Sequence, residues 1–364
     1  MNNNNNENRG ICNTDTVVMK SKISTYLLLT FLFIVTSFLS LLFIYHILCD
    51  KSSFLSLKFL TNEVVISLII LLIIYFLLDT LRFYYILKTL GIFVSFTYMI
   101  KLAFINIFVS NITPFATGGG FAQVFLLNKK GVSLGDATAA STIRTVLPVI
   151  FFVISTPIVL INYTNFFQLF QKDNIYTYIL GIVMGYSIIA YLFYKLINDT
   201  RIIKVFIFRV LLLLEKKRIL STIRTIKIRR KLLREIDCFS SSFYRFFNGN
   251  KIDIIISILF TILFLLSLFI FPVILIIGLG YNISPFSIIA LQIVITFITY
   301  FAPTPGATGI AEGGFSLIFS SIIDKSDLLS LTFTWRFFSI YIGVFIGLII
   351  FYFEIIRINF NKKR

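Results

Sequence analysis

Two arginines stand inside apolar stretches of the sequence, each at nearly the same distance after a proline. Arg144 lies 30 residues after Pro114, and Arg336 lies 31 residues after Pro305. If these stretches cross a membrane, an unpaired charge there costs at least ~2.5 kcal/mol on insertion scales, so each arginine requires a partner or water. Guanidinium groups bind carboxylates and phosphates through charge-assisted hydrogen bonds. The two arginines therefore predict either buried ion pairs or a site for an anionic group.

The two prolines belong to similar segments. Residues 113–118 read T-P-F-A-T-G and residues 304–309 read T-P-G-A-T-G, which is identity at five of six positions. Proline ends the preceding helix, and glycine permits close backbone approach and positive φ, which we expect at Gly118 to Gly120, Gly306 and Gly309. A half-helix that begins after such a break directs free N–H groups and its positive dipole end at the break, which favours phosphate or carboxylate. The alternative is a chance similarity between two helix breaks.

The expected site combines both segments with the two arginines. Glu312 is the acidic candidate to pair with one arginine, whereas the first segment offers the neutral Gln123. We therefore expect Arg144 to be the main phosphate ligand and Arg336 to be the structural or gating partner of Glu312, although an ion pair that only holds the second segment closed is the alternative. The predicted substrate-binding residues are Thr113, Pro114, Thr117, Gly118, Gly119, Gly120, Gln123, Arg144, Thr304, Pro305, Gly306, Thr308, Gly309, Glu312 and Arg336.

Other polar residues give little indication of chemistry. The three cysteines are widely separated and His46 is the only histidine, so neither a disulfide framework nor a metal site is predicted. No catalytic residue and no cofactor are expected. Asp79 and Arg82 are three residues apart at the end of an apolar run, which favours a surface pair rather than a site.

The elements that position these residues follow from the composition. The chain has 364 residues, of which 58% are hydrophobic and 13% are charged, and this excludes a soluble globular protein. We predict an all-α polytopic membrane protein with about seven transmembrane helices, including spans at about 23–48, 64–81 and 175–197, plus two re-entrant broken-helix hairpins. The predicted parts are a disordered cytoplasmic tail (1–22), a transmembrane domain (23–357) with repeats at about 92–162 and 284–356, a basic loop (198–251) and a cytoplasmic tail (358–364).

The charge distribution predicts the orientation. Between Lys195 and Lys251 there are 15 basic and four acidic residues, which is +11 of the net +17. We expect a protein of the inner cell membrane with both termini in the cytoplasm. This orientation leaves 26 of the 33 basic residues on the cytoplasmic side and four outside. On this topology the two similar segments are inverted, as in transporters. The basic residues Arg224, Lys227, Arg229, Arg230, Lys231 and Arg234 predict an interfacial amphipathic helix that attracts anionic lipids.

The second segment is similar to a known family. The run P-T-P-G at 303–306, with Gly309, Glu312 and a later arginine, resembles the P-T-P-G-G-x-G-x-x-E signature of the lysylphosphatidylglycerol synthase transmembrane-region (flippase-like) family. The stretch R-x-x-x-x-L-K-x-L-G at 82–91 is similar to an upstream segment of that family, and the resemblance covers about residues 25–356. The sequence departs at Ala307, where a second glycine is usual. In larger relatives a soluble aminoacyl-transferase domain follows, and the resemblance implies a membrane part that binds or moves the modified lipid.

Three functions are compatible with these sequence features. The first is binding and translocation of an anionic phospholipid or lipid-linked glycan between leaflets, with no nucleic acid as partner. The second is a phosphatidylglycerol lysyltransferase-type enzyme of lipid modification and cationic peptide resistance, which needs a soluble domain of more than about 100 residues that no segment here is expected to supply. The third is a non-transporting scaffold that holds a glycosyltransferase or lipid synthase through the basic loop.

Overall fold

A computed structural model describes residues 28–40, 57–162, 199–216 and 222–363, together with single positions between them (42, 45–46, 184–185, 191 and 195). Helices account for nearly all of these residues, and no strand occurs among them. The helices are α1 (Leu28–Ser40), α2 (Asn62–Thr89), α3 (Phe96–Asn111), α4 (Thr117–Lys129), α5 (Leu134–Asn162), α6 (Arg201–Lys216), α7 (Thr222–Asn248), α8 (Lys251–Gly278), α9 (Pro285–Thr299), α10 (Ile310–Phe319), α11 (Lys325–Arg336) and α12 (Ile342–Lys363).

Four stretches of continuous helix in the described residues are long and apolar enough to cross a membrane. They are α2, α5, α8 and the run Lys325–Arg357, in which α11 and α12 are joined by a π-helical turn. On α2, the side chains of Ile66, Ile70 and Ile73 are 56%, 52% and 63% exposed. An apolar stripe of this kind faces lipid rather than water. The prediction of an all-α polytopic membrane protein is confirmed.

Both predicted helix breaks occur, and their backbones are alike. The first separates α3 from α4 and the second separates α9 from α10, and each contains one 3₁₀ turn that starts at the proline, at Pro114 and Pro305. Phe115 and Ala116 have φ of 54° and 52°, and the equivalent Gly306 and Ala307 have φ of 59° and 55°. Two successive left-handed residues reverse the chain after each proline. This shared conformation supports the interpretation of the two segments as a repeat.

The three glycines of the first break act differently from the prediction. Gly118, Gly119 and Gly120 lie in α4, and positive φ falls on Phe115 and Ala116 instead, so the expectation of positive φ at these glycines is wrong. Close approach is what they provide: a Cβ on Gly119 would lie 1.9 Å from Ser110 Oγ. The glycines let α4 fold back directly against α3, which makes the first broken stretch a tight hairpin.

Small residues also allow the long helices to pack closely around the hairpins. The most extensive helix pair is α2 with α8, and α12 packs along α3. A Cβ on Gly347 of α12 would lie 2.2 Å from the carbonyl oxygen of Phe104, so only glycine fits there. Glycine at a helix interface lets the two backbones approach, as is typical of helices packed in membranes.

The predicted basic loop is largely helical, since α6 and α7 occupy most of it. One side of α7 packs against the start of α5, where the N–H of Gly135 donates to Glu235 Oε2 at 2.7 Å. The side chains of Arg229, Arg230, Lys231 and Arg234 are exposed. The side chains of Arg224 and Lys227 lie outside the described residues, and so do both ends of the predicted span 23–48 and nearly all of the span 175–197.

Candidate functional site

A buried cluster of charges links α2 to α5. Asp79 accepts hydrogen bonds from Arg82 Nε at 2.7 Å and from Arg144 Nη2 at 2.7 Å and 2.6 Å, to its two oxygens. The guanidinium carbon of Arg82 also lies 3.9 Å from the ring centroid of Phe264 on α8. The cluster contains two cations and one anion, so it carries one uncompensated positive charge.

The expectation that Asp79 and Arg82 form a surface pair is wrong. Asp79 is 5% exposed and Arg82 is 6% exposed, because α5 and α8 cover this face of α2. The sequence did contain an indication of this burial. Asp79 follows an apolar run of membrane-spanning character, where an ionisable residue is a functional candidate by default. The three-residue spacing to Arg82 favoured a surface pair instead. Asp79 is also the acidic partner of Arg144 that the first repeat itself lacks.

The second break contains its own ion pair. Arg336 Nε donates to Glu312 Oε1 at 2.7 Å, and both residues are buried. The other carboxylate oxygen of Glu312 accepts from the N–H of Gly309 at 2.7 Å and from the hydroxyl of Ser40 on α1 at 3.2 Å. Glu312 therefore neutralises Arg336 and also places a negative charge at the N-terminus of α10, where the helix dipole favours one.

At the first break the equivalent position is capped by a neutral group. The hydroxyl of Thr113 accepts from the N–H of Gly118 at 3.0 Å and donates to the carbonyl of Val109 at 2.8 Å. The two half-helices thus differ: a carboxylate belongs to the N-terminus of α10, whereas α4 has only a hydroxyl. The expectation that the first repeat binds the ligand, and that Arg336 has a structural or gating role, stays a prediction.

The two breaks contact each other, as predicted, and enclose a cavity of about 340 Å³. This volume lies within the range of about 300–1,000 Å³ that is usual for small-molecule sites. Among the described residues, the wall of the cavity has three arginines and no acid. It is lined by Arg82, Asn106, Ser110, Asn111, Phe115, Ala116, Gly120, Gln123, Ser141, Arg144, Thr145, Pro148, Thr299, Tyr300, Ala302, Thr304, Gly306, Ala307, Arg336 and Ile340.

The wall of the cavity contains part of the predicted site together with residues that were not predicted. Of the predicted residues, its wall contains Gly120, Gln123, Arg144, Thr304, Gly306 and Arg336. The other predicted residues of the breaks shape the backbone around the cavity without being part of its wall; they are Thr113, Pro114, Thr117, Gly118, Gly119, Pro305, Thr308 and Gly309. Glu312 lies behind Arg336. The residues that were missed include Arg82, Asn106 and Ser110, which come from α2 and α3.

Hydrogen-bond donors in this wall are incompletely satisfied. Arg82 Nη1, Gln123 Nε2 and Arg144 Nε are buried and have no hydrogen-bond partner among the described residues. Leaving a buried donor unsatisfied costs about 1–3 kcal/mol, and more when the group is charged. These atoms are themselves screened from the cavity, so an acceptor that entered it could recover part of that free energy once the side chains turned toward it. The arrangement therefore suits an anion with several oxygen acceptors.

Arg336 lies where the helix geometry changes. It ends α11, and the π-helical turn Phe337–Tyr341 follows directly. Such turns occur often at functional sites because they insert one residue into an otherwise regular helix. Arg336 Nη2 also donates to the carbonyl of Gly306 at 3.1 Å, so the last long helix is tied to the second break.

Comparison with known proteins agrees with this architecture. Residues 33–347 match the model of the family described as the lysylphosphatidylglycerol synthase TM region. A UPF0104 membrane protein of Archaeoglobus fulgidus is 23% identical over 290 residues, which is 80% of this chain and 86% of that protein. No solved structure matches the chain. With the family model covering most of its length, the chain belongs to the lysylphosphatidylglycerol synthase transmembrane-region family.

Proposed function

We propose that the protein binds the anionic headgroup of a membrane lipid in the cavity between the two breaks and moves it between the leaflets. The lipid is a phospholipid or a lipid-linked glycan, and its phosphate takes the uncompensated positive charge of the cluster around Asp79. The observation that carries the proposal is a cavity whose wall, in the described part of the chain, has three arginines and no acid, and whose residues Arg82, Gln123 and Arg144 each have a buried donor that no described residue satisfies.

The charge arrangement supports the first repeat as the ligand side. Arg336 is neutralised by Glu312 at 2.7 Å, whereas Arg82 and Arg144 share one carboxylate. A phosphate that approaches the pair of arginines completes their neutralisation, and Asp79 keeps the guanidinium groups oriented before it arrives. Preorganised cations of this kind lose little conformational freedom when they bind.

The test uses the purified full-length protein and measures two properties. Arg144→Gln should lose most of the anionic lipid that copurifies, as counted by native mass spectrometry, and should slow the transfer of a fluorescent phosphatidylglycerol across proteoliposome membranes. Lys325→Gln removes an exposed cation at the start of α11, away from the cavity and from α7, and is the matched control, which should behave as the unaltered protein does. Full lipid binding and transfer by Arg144→Gln would refute the proposal.

The same measurements separate the alternatives. A scaffold for a glycosyltransferase or lipid synthase would show no transfer at all, or binding without transfer, in the unaltered protein. A lysyltransferase-type enzyme would convert phosphatidylglycerol to its lysyl ester when given lysyl-tRNA, which mass spectrometry of the same lipids would detect. The proposed function requires transfer of the lipid without its chemical change.

A further inference from the structure

An apolar groove of about 710 Å³ lies beside the cationic cavity, between α4, α5 and α7. Gly120, Ser141 and Thr145 belong to the walls of both, so the groove and the cavity adjoin. The apolar part of the groove is formed by Phe121, Val124, Leu134, Leu232, Ile236 and Phe239. Phe121 is 75% exposed, which places the groove at the outer surface of the helix bundle.

The threonine hydroxyls along the α5 wall are hydrogen-bonded within their own helix. Thr138, Thr142 and Thr145 each donate their hydroxyl to the carbonyl four residues earlier in the helix, at 2.7 Å, 2.7 Å and 3.0 Å. A hydroxyl that donates to its own helix in this way does not need a hydrogen-bond acceptor in the groove. The wall of α5 therefore behaves as an apolar surface, although its sequence reads as polar.

Gly120 lies at the junction of the two spaces. A Cβ there would lie 3.1 Å from Ser141 Oγ, so a larger residue would crowd the contact between α4 and α5 that lies between the two spaces. Ser141 also donates to Gln123 Oε1 at 3.3 Å across this contact. On α4, Phe121 and Val124 line the groove, whereas Gln123 lines the cavity that contains the arginines.

We infer that the groove holds a hydrocarbon chain of the same lipid whose headgroup occupies the cavity, so that the ligand is an amphiphile rather than a free anion. The inference rests on the proposed function. It follows from the position of an apolar groove directly beside a cationic cavity, with three residues common to both walls, which matches the two parts of an anionic lipid. The exposed basic face of α7, with Arg229, Arg230 and Lys231, lies on the helix that forms one wall of the groove and attracts such lipids to its mouth.

The experiment uses phosphatidylglycerol that carries a diazirine at the end of one acyl chain, mixed into phosphatidylcholine nanodiscs with the full-length protein. After irradiation, labelled residues are identified by mass spectrometry. We expect labels on the groove residues of α4, α5 and α7, above the level on Ile150 and Ile154, which are exposed on α5 but do not line the groove. Equal labelling of the groove and of these isoleucines would overturn the inference.

Two tryptophan variants sharpen the result. Thr142→Trp fills the groove at a half-buried position and should reduce groove labelling to the level of Ile154, whereas Ile154→Trp is the matched control and should leave it unchanged. Thr138→Trp is a second groove variant for use if Thr142→Trp does not fold. Groove labelling that persists in a folded groove variant would overturn the inference.

A soluble ligand separates this inference from the proposed function. Glycerol 3-phosphate has the anionic group without a chain, so its binding should require Arg144 but should be unaffected by Thr142→Trp. If Arg144→Gln loses both ligands while tail labelling is equal everywhere, the cavity site stands and the groove does not. If Arg144→Gln keeps both ligands, the proposed function itself fails.

Discussion

At the scale of single residues, the fold depends on how three arginines share two carboxylates. Asp79 serves Arg82 and Arg144 together, and Glu312 serves Arg336 alone. Removing one partner from a buried ion pair is strongly destabilising because the other charge stays buried without compensation. The consequences should therefore differ sharply between the acid and either arginine of the first cluster.

We predict that Asp79→Asn destabilises the protein by about 3–5 kcal/mol, because it leaves two buried guanidinium groups without an anion. Arg144→Gln should cost clearly less, since Asp79 keeps its hydrogen bonds with Arg82. Thermal unfolding of both variants in the same detergent checks the order. Equal loss of stability in the two variants would show that Asp79 does not hold both arginines.

How far the sequence predicted the site is clearest at these residues. The pairing of Arg336 with Glu312 could be anticipated because both residues follow Pro305 within the second repeat. The partner of Arg144 could not, because Asp79 comes from α2, 65 residues earlier, and only the packing of α5 against α2 brings them together. The short spacing between Asp79 and Arg82 favoured a surface pair of these two residues. The pair forms, but its assignment to the surface was wrong.

At the scale of elements, the two breaks share a backbone that glycine would suit better than the residues present. Phe115, Ala116 and Ala307 are in the left-handed region, with φ of 54°, 52° and 55°. A residue with a Cβ pays a steric cost of roughly 1–2 kcal/mol in that conformation. Ala307 is also the position where the family signature has glycine, which indicates a physical reason for that glycine.

We predict that Ala307→Gly leaves stability unchanged or raises it by up to about 1 kcal/mol, since relief of the left-handed strain exceeds the entropy that glycine adds to the unfolded chain. Ala122→Gly in the interior of α4 is the control and should destabilise by about 1 kcal/mol. Thermal unfolding measures both. A larger loss at Ala307 than at Ala122 would contradict the backbone described for the second break.

The exposed basic face of α7 gives a second prediction at this scale. Replacing Arg229, Arg230, Lys231 and Arg234 together by glutamine should lower the enrichment of anionic lipid around the protein, by about 1 kcal/mol per residue near the surface at low salt. The difference should shrink as salt is added, because screening shortens the range of the attraction. Native mass spectrometry in mixed phosphatidylglycerol and phosphatidylcholine nanodiscs measures the enrichment. Unchanged enrichment at low salt would contradict an electrostatic role for this face.

At the scale of the whole molecule, composition alone predicted the class of protein, because 58% hydrophobic residues can be accommodated only if much of the surface faces lipid. The hydrophobic periodicity could not predict the detailed backbone of the two breaks. That backbone depends on successive left-handed residues and on the close approach of Gly119 to Ser110, which are properties of packing. The basic residues at 224–234 predicted a helix, which α7 provides, but nothing in the sequence indicated that α7 packs on the start of α5.

The orientation remains a prediction and can be tested directly. In a variant without the native cysteines, Arg230→Cys should be protected from an impermeant maleimide in intact cells, whereas Asn282→Cys, in the turn between α8 and α9, should be labelled. The expectation follows from the excess of basic residues on the predicted cytoplasmic side, 26 against four. Labelling of Arg230→Cys with protection of Asn282→Cys would contradict the predicted orientation.

The most direct test of the central claim, that the cavity is a site for an anionic headgroup, is a comparison of two buried glutamines. Gln123 is 1% exposed, lines the cavity and has an unpartnered amide nitrogen, whereas Gln292 is also 1% exposed and has an unpartnered amide oxygen but does not line it. Both are replaced by leucine, and copurified anionic lipid and thermal unfolding are measured on the same samples. We predict that Gln123→Leu keeps or raises stability and loses most of the lipid, while Gln292→Leu keeps the lipid. Full lipid retention by a stable Gln123→Leu protein would contradict the claim.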